Sequence, residues 1–351
     1  MLLHLTEQSP EPLRTQIARQ LRGRILTGDL GEGSTLPEAH RVAREHRVNP
    51  RDVRQALEEL VAEGFLRHSG DDAYVVAAVS PRQRRDLAWR RLRDDLREQE
   101  LSLRELEVAR DIQRSLLPPG MVVGDGYSVV SRSFPARFVA GDFFDVLEHA
   151  DGSVGVVVAD VAGKGFGASL VMASVKAMAP FIAAECGVAE TLRELNGRLC
   201  RELGRGQFVA LAYARFTPAT GVVELANAGI PDPLVVRESG ALSPVEVPGP
   251  RLPLGLRADV PYASTTRELE SDAPMLLFSD GIAEARRASG EPLGYDVLAA
   301  VLTRLPAPGQ GPGTTEAWLD GVLGEIQRET SPVLEDDWTA VAVECRRGGG
   351  A

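Results

Sequence analysis

The sequence predicts a multidomain chain with an N-terminal winged helix-turn-helix, a helical coiled-coil linker and a C-terminal α+β domain, arranged as an α-β-β-α sandwich. Three helical patterns and a hairpin pattern come first, and a long charged segment without glycine follows. Beyond that segment, strands are joined in hairpins and helices come in pairs, rather than alternating strictly. The predicted boundaries are 1–80, 81–119 and 120–346, with a flexible tail at 347–351.

Composition limits the classes of function. Of the 351 residues, 44% are hydrophobic and 25% charged, which is typical of soluble globular proteins. The sequence contains no apolar run near the roughly 20 residues that span a bilayer and no secretion signal at its start, so we expect a cytoplasmic protein without a membrane partner. Three cysteines do not suggest a disulfide framework. The net charge of -11 disfavours a dominant nucleic-acid function.

The first part of the chain follows a winged-helix pattern. Ile17, Leu21 and Ile25 are spaced four apart and predict a helix that ends at Gly28. Two more helical runs and a hairpin pattern complete it. The segments PLRTQIARQLRGRILTGDLGEGSTLP and VRQALEELVAEGFL resemble the GntR-family winged-helix domain over about the first 78 residues. This resemblance implies a winged-helix fold for that part of the chain.

The positions that read DNA in that family are altered here. His40 stands where the family has an arginine, Asn49-Pro50-Arg51 replaces its Ser-Arg-Thr, and Gly70-Asp71-Asp72 replaces its basic wing tip. Residues 1–80 contain ten arginines and twelve acidic residues, a net charge of -2. Arg51 and Arg54 are candidates for phosphate contact, but we favour an ordinary solvated helix face, so DNA is not the expected partner.

Residues 81–117 predict one long helix that ends before Pro118. An apolar stripe with alternating spacings of three and four, interrupted by Gln99, predicts a short coiled-coil seam and a parallel homodimer. The alternative is a solvated single helix. The stripe consists of Trp89, Leu92, Leu96, Leu103 and Leu106.

The remainder predicts strands and small-residue helices, with a turn at 150–152 joining two strands into a hairpin. Predicted strands cover 127–134, 141–149, 153–160, 207–216, 222–227, 233–237, 274–279 and 338–344, and predicted helices cover 167–185, 187–203, 293–304 and 314–327.

Aspartates stand where these strands end or turn. Asp142 lies in AGDFFDV, Asp160 in VVVADVAGKG, Asp280 in LLFSDG, and Asp336 with Asp337 in EDDWTAVAV. Taken singly, an aspartate beside glycine usually marks only a turn. Several carboxylates at strand ends, however, supply the oxygen ligands that hard divalent cations prefer.

The ordered motifs ARDIQRSLLPP, GDFFDV, ADVAGKGFGASLVMA, ANAG, PLGL, LFSDGIAEA and DDWT resemble the PPM family of metal-dependent serine/threonine phosphatases, in its bacterial SpoIIE and RsbU-like branch. The resemblance covers about 110–345. It implies hydrolysis of a phosphoprotein by metal-activated water, with two divalent ions, Mn²⁺ or Mg²⁺. By the same resemblance, the substrate class is a phosphorylated anti-sigma-factor antagonist.

The resemblance also implies ligand roles. Asp160 corresponds to the ligand that bridges both metals, and the carbonyl of Val161 completes one site. Asp142 corresponds to the acidic residue near that first metal. The second metal takes Asp280 and Asp336, and Asp337 is a weaker candidate.

Around these ligands, Gly163 and Gly165 are expected to allow close turns, and Lys164 either reaches substrate phosphate or is merely solvated. Ala162 replaces a histidine that eukaryotic members use as a proposed general acid, and Ile230 replaces a histidine common in the bacterial branch.

Three functions therefore remain in competition: a regulated protein phosphatase, which we favour; a winged-helix transcription regulator with an idle phosphatase-like sensor; and an interaction scaffold. The presence of the acidic ligand candidates disfavours the idle sensor, and a turnover assay separates the phosphatase from the scaffold.

Overall fold

A computed structural model divides the chain into two compact units, Met1–Ser102 and Leu103–Ala351. The structure describes residues 5, 12–70, 73–78, 81–237, 239, 241–269, 274–305, 308 and 314–345. The division falls inside the linker helix, at neither 80 nor 119, and the three-part domain boundaries stay a prediction.

The first unit begins with the predicted helices and hairpin, and both predictions are confirmed. Ile17, Leu21 and Ile25 are fully or almost fully buried in its core, as their spacing indicates. A short third strand, β1, pairs with β3, so the sheet order is β1-β3-β2. The elements are α1 (Leu13–Thr27), β1 (Thr35–Leu36), α2 (Ala39–His46), α3 (Pro50–Ala62), β2 (Leu66–His68) and β3 (Tyr74–Val76).

Helix α3 has a well-defined beginning. The side chain of Asn49 accepts a hydrogen bond of 2.9 Å from the backbone N–H of Arg51, and Pro50 occupies the first helical position, where it loses no hydrogen bond. Arg51 and Arg54 lie exposed on this helix, in a hollow that also includes Glu58. Asp71 and Asp72 at the predicted wing tip lie outside the described residues.

The predicted long helix is confirmed as α4 (Pro81–Leu116). Trp89, Leu92, Leu96 and Leu103 are exposed along it, as an unpaired seam requires. The sequence reasoning missed a second exposed apolar stripe on this helix. Each residue advances an α-helix by about 100°, and the spacing of the second set from the first places it on the opposite side. It consists of Leu101, Val108, Ile112 and Leu116.

The second unit continues with hairpins and paired helices. All eight predicted strands and all four predicted helices are present, with ends that differ by a few residues. The elements are β4 (Met121–Gly124), β5 (Tyr127–Phe134), β6 (Phe143–Glu148), β7 (Val154–Val161), α5 (Phe166–Glu185), α6 (Val188–Glu202), β8 (Val209–Thr217), β9 (Val222–Ala228), β10 (Leu234–Val236), β11 (Leu242–Pro244), β12 (Ser264–Glu268), β13 (Met275–Phe278), α7 (Asp280–Ala283), α8 (Tyr295–Arg304), α9 (Thr314–Glu329) and β14 (Trp338–Cys345).

These strands form two antiparallel sheets in the described part of the unit, with orders β11-β10-β13-β14-β5-β4 and β12-β9-β8-β7-β6. One core cluster draws residues from both sheets, including Phe216 and Val341. A second joins the five-stranded sheet to α5 and α6, and a third joins the six-stranded sheet to α8 and α9. Each sheet therefore has helices on one face and shares a core with the other sheet.

Helix α5 is, by length and composition, apolar enough to cross a membrane, the single such helix among the described residues. Met172, Val175 and Ala179 on this helix are buried in the cluster that it shares with the five-stranded sheet. Core helices of soluble proteins pass the same test of length and composition, but Leu170 and Phe181 on α5 are exposed, so its packing accounts for only part of its apolar composition.

Candidate metal centre

The strand register of the five-stranded sheet brings two of the candidate aspartates together. Asp160 lies near the end of β7, and Asp142 directly precedes β6. Phe143 pairs with Ala159, so extending the register by one residue places Asp142 opposite Asp160. The apolar run that forms β7 therefore delivers a carboxylate to the edge of the sheet beside a second one.

The six-stranded sheet contributes the other aspartates through β13 and β14. Asp280 begins α7 directly after β13, while Asp336 and Asp337 directly precede β14. A side chain on Gly281 would clash with the carbonyl oxygen of Asp337, so glycine is required for this close approach. Both sheets thus present aspartates at strand ends.

The charges of these aspartates act on one another, which shows that the two sheets bring them to one place. Burial raises the pKa of Asp160 to about 7, and the charges of Asp280 and Asp336 add to the effect. Burial and the charge of Asp160 raise the pKa of Asp142 well above its usual range. Burial and the charge of Asp336 also raise the pKa of Asp280. Such a cluster favours any cation that compensates its charge.

The aspartates offer carboxylate oxygens, one of them buried without a hydrogen-bond partner, and this makes the site suitable for divalent cations. Hydrogen bonds with the hydroxyls of Ser279 and Thr339 offset part of the rise in the pKa of Asp142. Its buried Oδ2 nevertheless has no hydrogen-bond partner in the described structure. Carboxylates are the ligands that Mg²⁺ and Mn²⁺ prefer. The described residues contain no group of three or more His, Cys, Asp or Glu side chains closed around one point, so the exact ligand set stays a prediction.

The loop that follows β7 adopts the close turns expected of it. Gly163 and Gly165 have φ angles of 107° and 80°, which glycine adopts without strain. The Nζ atom of Lys164 lies 2.9 Å from Oδ2 of Asp336 and also donates to the carbonyl of Glu335. In the described structure Lys164 is therefore paired with Asp336, one of the candidate ligands, and its contact with substrate phosphate stays a prediction.

Asp337 has a different environment from the other aspartates. Its Oδ1 accepts a hydrogen bond of 2.7 Å from the backbone N–H of Ala136, and its Oδ2 accepts one of 2.7 Å from that of Gly141. A Cβ atom on Gly141 would lie 2.9 Å from the carbonyl oxygen of Val161, the predicted ligand, so the two backbones are in close contact. Asp337 thus ties the connection between β5 and β6 to the start of β14, and each of its oxygens retains a lone pair.

Sequence reasoning missed several charged residues beside this site. Burial, with the charges of Asp280 and Asp336, raises the pKa of Glu284. The exposed side chain of Arg137 reaches the glycine loop, with Nη1 3.9 Å from the position of a Cβ atom on Gly165. Glu284 lies within the motif LFSDGIAEA but was not singled out there, and Arg137 lies in none of the quoted motifs; the folded chain brings both to the aspartates.

Lys176 forms a second ion pair, between α5 and β6. Its Nζ lies 2.6 Å from Oδ2 of Asp145, and both side chains are mostly buried. Oδ1 of Asp145 accepts a hydrogen bond from the backbone N–H of its neighbour Val146, and the ion pair joins β6 to α5.

Comparison with protein families decides the assignment of the second unit. Residues 150–346, more than half of the chain, match the family model of stage II sporulation protein E (SpoIIE). The chain belongs to the SpoIIE family. The SpoIIE match includes Asp160, Asp280 and Asp336 but begins after Asp142. Residues 13–75 match the model of the bacterial regulatory proteins of the gntR family, so the SpoIIE part is preceded by a GntR domain.

Individual relatives agree with both assignments. The chain is 27% identical over 189 residues to phosphoserine phosphatase RsbU of Bacillus subtilis, covering 53% of this chain and 55% of RsbU. It therefore spans about half the length of that relative. Its first part is 38% identical over 64 residues to the HTH-type transcriptional repressor NagR of Bacillus subtilis, covering 18% of this chain and 26% of NagR.

A solved structure supports the fold of the SpoIIE part. The SiaA-PP2C domain of Pseudomonas aeruginosa superimposes with a TM-score of 0.57 at 20% identity, covering 70% of this chain and 98% of that domain. The second unit therefore has a PP2C-like fold of helices and sheets.

The aspartate cluster predicts a pH dependence of stability. In chelator, the free energy of unfolding should fall as the pH rises from about 4, the unfolded pKa of aspartate, to about 7, the folded pKa of Asp160. The folded state binds more protons than the unfolded state in this window, so raising the pH destabilises it. Denaturant titrations at several pH values measure the slope.

Two comparisons sharpen this test. Asp160→Asn should flatten the slope, whereas Asp125→Asn, a change at an exposed turn between β4 and β5, should leave it unchanged. Adding Mn²⁺ should cancel the destabilisation, because the cation binds the deprotonated carboxylates. A stability that rises through this window in chelator would contradict the described charge cluster.

Proposed function

We propose that this protein is a metal-dependent protein serine/threonine phosphatase that hydrolyses a phosphoprotein. The observation that carries the proposal is a group of mutually repelling aspartates, delivered by the strands of two sheets: the buried Asp142 and the half-buried Asp160 and Asp280. Such a group disfavours its own charge unless cations are bound. The similarity to RsbU, a phosphoserine phosphatase, supports the same reaction.

In this proposal two divalent ions, Mn²⁺ or Mg²⁺, bind the aspartates. Asp160, the carbonyl of Val161 and Asp142 would hold one ion, Asp160 with Asp280 and Asp336 would hold the other, and Asp337 is a weaker candidate. When bound, such ions lower the pKa of water and offset the charge of a phosphate group. The described contacts of Asp337 support a structural task for it instead.

The residues of the chain itself bind and orient the substrate. Arg137, exposed and without an ion pair among the described contacts, is a candidate for binding phosphate oxygens beside Gly163 and Gly165. Lys164 holds Asp336 in place and keeps positive charge close to the phosphate. A histidine acid is not available in the second unit: its one histidine, His149, hydrogen-bonds Tyr213 at the other end of β6.

Replacing Asp160 or Asp280 with asparagine should lower metal-dependent turnover at least about 1,000-fold, because a neutral amide is a weaker ligand and leaves the cation charge unbalanced. Turnover is measured with Mn²⁺ or Mg²⁺ on a generic phosphoester and on a phosphorylated protein. Asp125→Asn is the matched control and should keep full activity. Wild-type turnover that persists in excess chelator would refute metal dependence.

The same assay decides among the competing functions. A chain without turnover on either substrate would favour the idle sensor or the scaffold. We propose a phosphorylated anti-sigma-factor antagonist as the substrate and the cytoplasm as the location, in line with the similarity to RsbU.

We further propose that α4 forms a parallel homodimer through the exposed stripe that contains Leu92 and Leu96. Leu92 and Leu96 are each about half exposed, and stripes of this kind on charged helices pair in coiled coils. Light scattering should give about twice the chain mass of 37.7 kDa. Leu92→Lys with Leu96→Lys should give a monomer, while Arg93→Lys, an exposed control on the same helix, should not. A monomeric wild type would exclude the dimer.

The GntR domain should bind duplex DNA weakly and without sequence preference. Arg51 and Arg54 are exposed on α3, but Glu58 lies in the same hollow, and the net charge of residues 1–80 is -2. Gel shifts at physiological salt measure the affinity. Sequence-specific binding near the ~10 nM typical of regulators would contradict this expectation and support the kind of activity named for NagR.

A further inference from the structure

The last turns of α4 contain a buried amide that the proposed reaction does not explain. Gln113 is 9% exposed on a helix whose neighbouring side chains face solvent. Its Nε2 donates a hydrogen bond of 2.7 Å to the carbonyl of Ala140, and its Oε1 accepts one of 2.9 Å from the N–H of the same residue. One side chain therefore satisfies both backbone groups of Ala140.

Ala140 belongs to the 135–142 loop, the segment that joins β5 to β6 and has no regular secondary structure. Without a helix or sheet, the buried backbone groups of this loop need other partners. Asp337 partners two of these groups by accepting from the N–H groups of Ala136 and Gly141, and Gln113 partners two more at Ala140. The loop is thus held from two sides, by the start of β14 and by α4.

The position of the loop matters because of what it carries. Asp142 stands two residues after Ala140, and Gly141 between them contacts the carbonyl of Val161. A shift of Ala140 therefore moves a carboxylate and the backbone beside a second candidate ligand together. Arg137 lies on the same loop, so the shift also reaches a candidate for binding phosphate.

We propose that Gln113 is a positioning residue for the metal centre, through which the end of α4 holds the Asp142 carboxylate in place. The proposal rests on the proposed function, since it assigns a regulatory contact to that same site. Leu117, just beyond α4, packs against both core clusters of the five-stranded sheet, so the end of the helix is anchored beside its amide contact. A rotation of the last helical turn would withdraw the amide from Ala140 and leave the loop held from one side, by Asp337.

The test uses the full chain with Gln113→Leu and Gln113→Met, which keep the side-chain bulk and remove the hydrogen bonds. Mn²⁺ binding is measured directly by calorimetry, without substrate, and turnover is measured over a range of Mn²⁺ concentrations. Arg114→Leu, at the exposed next position of the helix, is the matched control. Circular dichroism confirms that each variant is folded, and Gln113→Met serves if the leucine variant does not fold.

We expect Mn²⁺ affinity to fall by about 10- to 100-fold in both Gln113 variants, as for other residues that orient metal ligands, and to stay unchanged in Arg114→Leu. Excess Mn²⁺ should restore most of kcat, with less than about a twofold change in KM for the phosphoprotein. A general loss of structure would not be rescued in this way.

Unchanged Mn²⁺ affinity in folded Gln113 variants would overturn the inference while leaving the proposed phosphatase intact. Reduced kcat that excess Mn²⁺ does not restore would also overturn it, because the defect would then not act through the metal centre. A wild type that binds Mn²⁺ but hydrolyses no phosphoester would instead refute the proposed function, and the direct binding measurement would still test Gln113.

Discussion

The accumulation of carboxylate charge at the ends of two sheets is the constraint on which the rest of the second unit depends. Burial penalises each charge, and burial together with the smaller repulsion from Asp280 and Asp336 raises the pKa of Asp160 to about 7. The chain supplies partial compensation through Lys164 and through the hydroxyls near Asp142. The remaining imbalance is what makes cations the natural partners of this fold, and it costs stability wherever they are withheld.

A second constraint follows from how the sheets reach this point. Antiparallel pairing fixes Asp142 opposite Asp160 and brings Asp337 next to Gly281, but the connection between β5 and β6 has no ladder of its own. It depends on side chains from elements far away in sequence, Gln113 and Asp337. Local irregularity at the site is therefore stabilised by long-range hydrogen bonds, and the conformation of the loop is coupled to both elements.

Sequence reasoning succeeded where the signal is local. Buried strands such as β7 and β13 are continuous apolar runs that lead to an aspartate, so their positions could be predicted, while the metal-binding roles of these aspartates stay a prediction. It failed at β12, Ser264–Glu268, whose polar edge-strand residues look like a loop until β9 pairs with them, and at α7, which is a single turn. Gln113, Arg137 and Glu284 carry no local signal, because their importance comes from contacts made only after folding. Gln113 had been noted only as part of a motif.

Of the 39 lysine and arginine residues in the chain, two are lysines, and this composition has a chemical consequence. Lys164 pairs with Asp336 at the candidate metal centre, Lys176 pairs with Asp145 between α5 and β6, and Lys164 is the more exposed of the two lysines. Arginine resists acylation under conditions that modify lysine. Apart from the N-terminal amine, the targets of an amine-directed reagent are therefore these two lysines. Acylation of Lys164 would remove the charge that faces Asp336, which makes the centre open to selective covalent labelling in a chain otherwise almost inert to it.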